Sequence, residues 1–500
     1  MVVLALAGGG CEDSDMASRF LVPDREQSFL QVASYRDLLG PDELVWTVIE
    51  VMEGMDLSAV YARYGVDTGQ GGRPAFDPAM MLTLLVFGYC EGKRSARELE
   101  VACRRDVAYQ AICGGMIPDH STIARFRMLI DDIVELLFVQ VLERCAERGL
   151  VDVGRVALDG TRIEANASKD ANHNATRLAG LHAQISEILA ETRPDTDSDD
   201  SDPDGSADGD GPDDDRGSGW SRLRRERDTV RRLDRIETAQ VEAERARERR
   251  EHDEKRRGRK RGGEPGGNVT DPDSRLQKTA GGGFIQGYNA QTVVSADQIV
   301  IAAHVTAETT DVGQFETMIK RTMSNLTAVD AATPGTVLAD AGYWSLDNSR
   351  LEDDLDGTVL LIAPGDKTHT VGAIPDPLPD GVSDAGRARH RMQTRLADPD
   401  HRDAYRQRGW LVEGSFAHVK NHRRSRRFSR RGLAACQAEW LLINLAGNIR
   451  KLHQTRHRPP TSSPPPPDRP SQPSRWPQPA ANSHNHPHRH HRLPAIRHHH

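Results

Sequence analysis

Between Asp195 and Asp215 the chain carries eleven aspartates and no lysine or arginine. A stretch so charged and so poor in apolar side chains cannot bury enough surface to offset the entropy lost on ordering it. Whatever folds is therefore built on either side of it. Upstream, residues Asn172 to Glu191 place Leu178, Leu181, Ile185, Ile188 and Leu189 on one helical stripe. Downstream, Leu223, Val230, Leu233 and Ile236 keep rough helical register between Trp220 and Arg257. The pair reads as a helical hairpin with the acidic run at its tip. The basic end of the second helix, Lys255 to Arg261, reads as a solvated charged face, with a DNA-backbone contact as the alternative.

The acidic run also explains a misleading total. The formal net charge is -8, yet without those aspartates the remainder is slightly positive, and an anionic partner meets the local field rather than the sum. Five hundred residues predict two or three domains, and a hydrophobic content of 37% predicts that part of the length stays unfolded. Six cysteines without a CxxC pair point to a reduced, cytoplasmic setting. The opening MVVLALAGGGC lacks a basic leader region, so an over-extended start with Met16 as initiator is expected. No apolar run reaches the length of a membrane span. The Pro- and His-rich residues 456–500 show no packing pattern and read as a disordered tail.

Residues 30–149 read as closely punctuated helices. Asp77-Pro78 supplies an N-cap and a first-turn proline before MMLTLLVFGYC, and Ser95 with Glu98 forms a capping box. A third helix opens in DHSTIARFR, with Ser121 as the expected cap and Arg125 and Arg127 projecting from its early turns. Short helices ending in such a basic segment suit a helix-turn-helix-like DNA reader, which would make Ser121, Arg125 and Arg127 DNA contacts; a ligand-free bundle looks much the same.

Beyond Val151 the period shortens. VDVGRVALDGTRI reads as a strand with Asp159 at its end, where a carboxylate is either costly and functional or part of a simple Asp-Gly turn. Two strands follow, joined around Ser295 to Asp297, then a helix that Asp311 is expected to cap with Gln314 completing the box. TVLADAGYWS is a strand closing on Asp340, and Thr358 to Pro364 is another. Trp344 could stack on a displaced base, although packing beside its strand is the better reading. After an irregular polar stretch comes YRQRGWLVEGSFAHVK, Tyr405 to Lys420, and a last apolar helix spans Cys436 to Leu452. At helical spacing Glu413, Phe416 and Lys420 share a face, and the next turns hold six arginines, Arg423 and Arg424 first, with no acid. A carboxylate in that setting can hold a metal ion while its neighbours hold phosphates.

Functional groups of an α/β sheet gather beyond the carboxyl ends of neighbouring strands, so Asp159 and Asp340 are expected to meet there, with the later helix bringing Glu413 to them. Three hard oxygen ligands suit Mg²⁺, with Mn²⁺ able to substitute, and two such ions about 3.5–4 Å apart can drive an in-line phosphoryl displacement.

RPAFDPAMML, PDHSTIARFR, ALDGT, GYNAQ, LADAGYWS and YRQRGWLVEGSFAHVK together resemble the DDE transposases of bacterial insertion sequences, in the subgroup with a Y-R-E-K signature. The resemblance runs from about Arg73 to Leu452. It implies a ribonuclease-H-like mixed sheet flanked by helices, with Asp159, Asp340 and Glu413 as the catalytic, metal-binding triad. Tyr405, Arg408 and Lys420 would complete the signature, the basic pair contacting phosphates. Here four residues separate Arg408 from Glu413 where the usual signature has three, which leaves Arg406 as a substitute.

The implied organisation has five parts. Residues 1–29 are an over-extended or disordered start, 30–149 a helical DNA-binding domain, 150–171 with 280–455 the catalytic domain, 172–279 the helical insertion, and 456–500 the tail. The implied function is cutting and joining DNA at the element's terminal inverted repeats, with a homodimer on paired ends in the nucleoid. A nuclease that cuts without joining, or a DNA-binding relic, are the alternatives.

Overall fold

A computed structural model describes residues 34–64, 75–192, 215–258, 264–279, 281–365, 373–417, 419–420 and 425–456. The N-terminal 33 residues, most of the acidic run, Arg423, Arg424 and the tail from residue 457 lie outside the described residues.

Among the described residues eight helices come first: α1 (Tyr35–Leu38), α2 (Leu44–Glu53), α3 (Ser58–Tyr64), α4 (Pro78–Glu91), α5 (Ala96–Arg105), α6 (Val107–Cys113), α7 (His120–Leu129) and α8 (Val134–Glu147). The punctuation works as its chemistry requires. Asp77 accepts the amide of Met80 ahead of Pro78, and Ser95 with Glu98 closes a capping box on α5. Helix α4 is buried nearly all round, so it forms the centre of the bundle.

At α7 the expected cap is corrected. Asp119, not Ser121, receives the amides of Ser121 and Thr122 at 2.9 and 3.0 Å, and both hydroxyls also donate to its carboxylate. An ionised acceptor binds several donors where a hydroxyl binds one. Asp119→Ala should therefore cost about 1 kcal/mol in chemical denaturation. Wild-type stability in that variant would return the cap to Ser121.

The sheet contains β1 (Arg155–Glu164), then, after the short pair β2 (Asn172–Asn174) and β3 (Gly266–Asn268), β4 (Arg275–Lys278), β5 (Phe284–Ser295), β6 (Val300–Thr306), β7 (Thr336–Ala339) and β8 (Val359–Ile362). Its order is β4-β5-β1-β7-β8, with β6 also on β5; β1 is antiparallel to β5, while β7 and β8 run parallel. Asp159 is not at the end of β1, as the sequence suggested. The strand continues to Glu164 because β5 still pairs with it, and only the pairing with β7 stops at Leu158.

Between β2 and β3 lies the hairpin of α9 (Ala175–Thr192) and α10 (Asp215–Arg257), which share a small core of Leu178, Ala239 and Ala243. Ile188, expected on the buried stripe, is exposed.

After β6 come α11 (Phe315–Ala328), α12 (Leu346–Arg350), α13 (Asp384–Ala397), α14 (Pro399–Ala417) and α15 (Leu433–Arg456). Helix α13 and the first turns of α14 fall in the stretch that sequence reading left irregular. Only Ala388, Met392 and Leu396 of α13 are buried, a stripe too narrow to stand out among its arginines.

Alternation along β1 builds two faces. Val156 and Leu158 join Phe315, Met318 and Ile319 of α11 on one side. Ala157 joins Met392 of α13 and Leu411 and Val412 of α14 on the other, with Leu338 of β7. The side chain of Asp159 therefore points to the α14 side and that of Arg162 to the α11 side. The largest cluster is continuous from α2 and α4 through α15 to the sheet, so the helical region and sheet share one core.

Candidate active site

The parallel register of β1 and β7 ends at Leu158 opposite Ala339. The next residue after each is an aspartate, Asp159 still within β1 and Asp340 just past β7, which sets the two side by side where neighbouring strands lie about 4.8 Å apart. Asp340 accepts the amide of Gly342 at 2.8 Å and so caps the turn that follows β7. Asp159 accepts its neighbour's amide, from Gly160, at 2.7 Å, and receives Nη1 of Arg408 at 3.4 Å. Burial, and then the charge of Asp340, push the Asp159 carboxyl up to about 6. Across the ladder from Asp159 stands Thr292, whose buried hydroxyl has no hydrogen-bond partner among the described residues. Two carboxylates repelling each other beside an unsatisfied hydroxyl form a locus that a cation would relieve.

Helix α14 lies over this face. Arg408 is turned to Asp159 and its guanidinium sits 5.9 Å from the ring of Tyr405, which is packed against the sheet core. Arg406 points away and pairs with Asp403. Lys420 is half-buried; burial first, then the charges of Arg426 and Arg162, lower its pKa against the pull of Asp159.

Glu413 stands apart. It is exposed, and its carboxylate lies over Gly409, where a side chain would come within 3.7 Å of it. The cause is helical phase: five residues beyond Arg408 is about 140° further round the helix. Lys420 lies beyond the end of α14 at Ala417, where Val419 and Lys420 have π-helical backbone, so the phase of α14 does not set its direction. Accordingly, among the described residues no group of three or more His, Cys, Asp or Glu side chains is assembled to hold a metal ion.

The other expected contacts divide. Arg125 is exposed at the surface of α7, whereas Arg127 turns inward to the carbonyl of Arg94 at 2.8 Å and Ser121 is tied to Asp119. In the basic stretch after α14, Arg427 and Arg431 bond the carbonyls of Ala165 and Asn166 at 3.0 and 2.9 Å, and Arg430 pairs with Asp131. Buried Glu439 receives the amides of Ser429 and Arg430 and the guanidinium of Arg94. Those arginines fix the loop to the site's margin. Trp344 is partly buried against the cores on both faces.

Asp311 overturns its expected role. It makes no capping bond; its side chain binds Arg162, Asn289 and Gln291 instead, and α11 starts later, at Phe315. The only local hint is that Asn289 and Gln291 alternate on one face of a buried strand, which asks for a polar partner without naming it.

Two family profiles match the chain. Residues 34–129 match the Transposase domain (DUF772), covering α1 through α7, and residues 244–449 match the Transposase DDE domain, which includes Asp340 and Glu413. This chain is an insertion-sequence DDE transposase. The transposase is thus a DNA-cleaving and strand-transferring enzyme. No curated protein and no solved structure matches it significantly. None of its described helices is long and apolar enough to cross a membrane.

Proposed function

We infer that Asp159 and Asp340 are the carboxylates on which this transposase cuts and joins DNA, and that Glu413 joins them as the third member of the triad. The observation that carries the reading is the adjacency of the two aspartates on parallel strands, flanked by Arg408 and Lys420. The strand order, with β1, β5 and β6 antiparallel, the short β4 added at the edge of β5, and β7 and β8 parallel beside β1, supports a ribonuclease-H-like core. Glu413 needs one residue of phase. Moving the wide turn from Val419–Lys420 to a place ahead of Glu413 turns it by about 100° toward the aspartates, leaving Arg408 and Lys420 where they are.

The aspartate pair fits divalent ions of the Mg²⁺ or Mn²⁺ type, held by hard oxygens. Such ions, when bound, activate the attacking oxygen and stabilise the leaving one. The chain's own residues do the rest. Arg408 and Lys420 hold the scissile phosphate by charge, Tyr405 fixes the guanidinium plane, and the closed core beneath Asp159 limits water. Hydrolysis would release a 3′ hydroxyl, and the same centre would join it to target DNA, since both steps are phosphoryl transfers. The helical region, with Arg125 exposed on α7, would hold the terminal inverted repeats, and a homodimer would pair the ends.

Arg408→Ala should slow both cleavage and strand transfer by about 100-fold, whereas Arg406→Ala stays within about twofold, as surface pairs do. An oligonucleotide assay with repeat ends and a target duplex reads both steps. Reversed effects would hand the phosphate contact to Arg406, and cutting without joined product would make the enzyme a nuclease only.

A further inference from the structure

On the α11 side of the sheet, behind the two aspartates, the Asp311 carboxylate is saturated with donors. Oδ1 accepts Asn289 Nδ2 at 2.7 Å, Gln291 Nε2 at 2.9 Å and Arg162 Nη1 at 3.1 Å, and Oδ2 accepts Arg162 Nη2 at 3.2 Å. Gln291 in turn donates to Asn289 Oδ1 at 2.8 Å and accepts the hydroxyl of Tyr343, which is fully buried in the turn after Asp340. The cluster therefore joins β1, β5, the lead-in to α11 and the turn that carries Asp340.

The backbone on both sides is shaped around it. Gly160, next to Asp159, and Gly342, two residues beyond Asp340, both face Asp311. A Cβ on the first would stand 2.3 Å from Gln291 Nε2 and 2.9 Å from Asp311 Oδ1, and one on the second 2.9 Å from Asp340 Oδ1 and 3.5 Å from Asp311 Oδ2. A side chain at 160 would therefore push the Gln291–Asp311 cluster aside. A half-buried ion pair with Arg162 is a poor way to gain stability, because apolar side chains of similar volume would fill the space at no desolvation cost.

We propose that Asp311 is a positioning residue that sets the spacing of Asp159 and Asp340 through Gly160 and the Tyr343 turn. It holds no cation itself, since both its oxygens already accept donors and the Arg162 guanidinium answers its charge. The inference rests on that pair being the cation site.

The test is Mn²⁺ binding to the full-length, DNA-free protein, read by the electron paramagnetic resonance of free Mn²⁺ well below the melting temperature. Asp311→Asn keeps the shape and removes the charge; its Mn²⁺ affinity should fall by about 10–100-fold, the usual effect of losing a group that orients a ligand. Should that variant fail to fold, Tyr343→Phe removes only the hydroxyl reaching Gln291 and should weaken Mn²⁺ by about threefold. Wild-type affinity in the folded variant overturns the proposal. Asp159→Asn separates the causes: if it loses Mn²⁺ while Asp311→Asn does not, only the positioning role fails. If Asp159→Asn also binds as wild type, the pair itself is not the site and both readings fall.

Discussion

Asp159→Asn should abolish cleavage, by about 1,000-fold or more, and at the same time make the metal-free protein more stable at neutral pH. The two effects have one cause. In the fold Asp159 titrates near 6 because it is buried beside Asp340, against about 3.9 in an unfolded chain. Below pH 4 it is protonated in both states and contributes nothing. Between pH 4 and 6 the unfolded chain ionises first, so stability drains away as pH rises, and above 6 the loss is complete. Two pKa units correspond to about 2–3 kcal/mol. Asparagine escapes that cost, so with chelator present the variant should melt higher than wild type at pH 7.5 and lose the advantage by pH 4. Asp340→Asn should lose cleavage equally and also stabilise, since it removes the opposing charge. Variants that fall in stability across this whole range would show Asp159 to be a structural carboxylate.

Glu413→Gln is the second large effect, and it has a different signature. Its side chain is exposed and outside every core cluster, so melting should not move, whatever the pH. Cleavage should nevertheless fall by about 100-fold or more with binding to repeat ends intact. An exposed residue whose loss changes nothing but the chemistry has to enter the site during the reaction. Full cleavage by Glu413→Gln would limit the centre to its two aspartates.

What the sequence disclosed and what it hid follow from the physics of each element. The neighbouring placement of Asp159 and Asp340 was legible because each follows an apolar run that buries it in the sheet, and the β1–β7 register stops just before both; that β1 itself runs on past Asp159 was not, because its pairing with β5 is distant in sequence. The caps at Asp77 and Ser95 were legible because their partners lie three residues away. Asp311 was misread for the same reason: a local rule offered Gln314 as a partner, while the real ones, Arg162, Asn289 and Gln291, are distant in sequence and only β1–β5 pairing brings them together. Glu413 shows the opposite limit. Its seven-residue spacing from Lys420 predicts a shared face, but α14 ends at Ala417, before Lys420, and nothing in the residue types announces that end.

The pairing of Asp159 with Asp340 as one cation-binding centre is tested most directly by exchanging an oxygen ligand for sulfur. Asp340→Cys, assayed on repeat-end DNA, should be silent in Mg²⁺, which binds thiolate poorly, and regain part of its cleavage in the softer Mn²⁺. Cleavage by Asp340→Cys in Mg²⁺ at the wild-type rate would contradict the assignment.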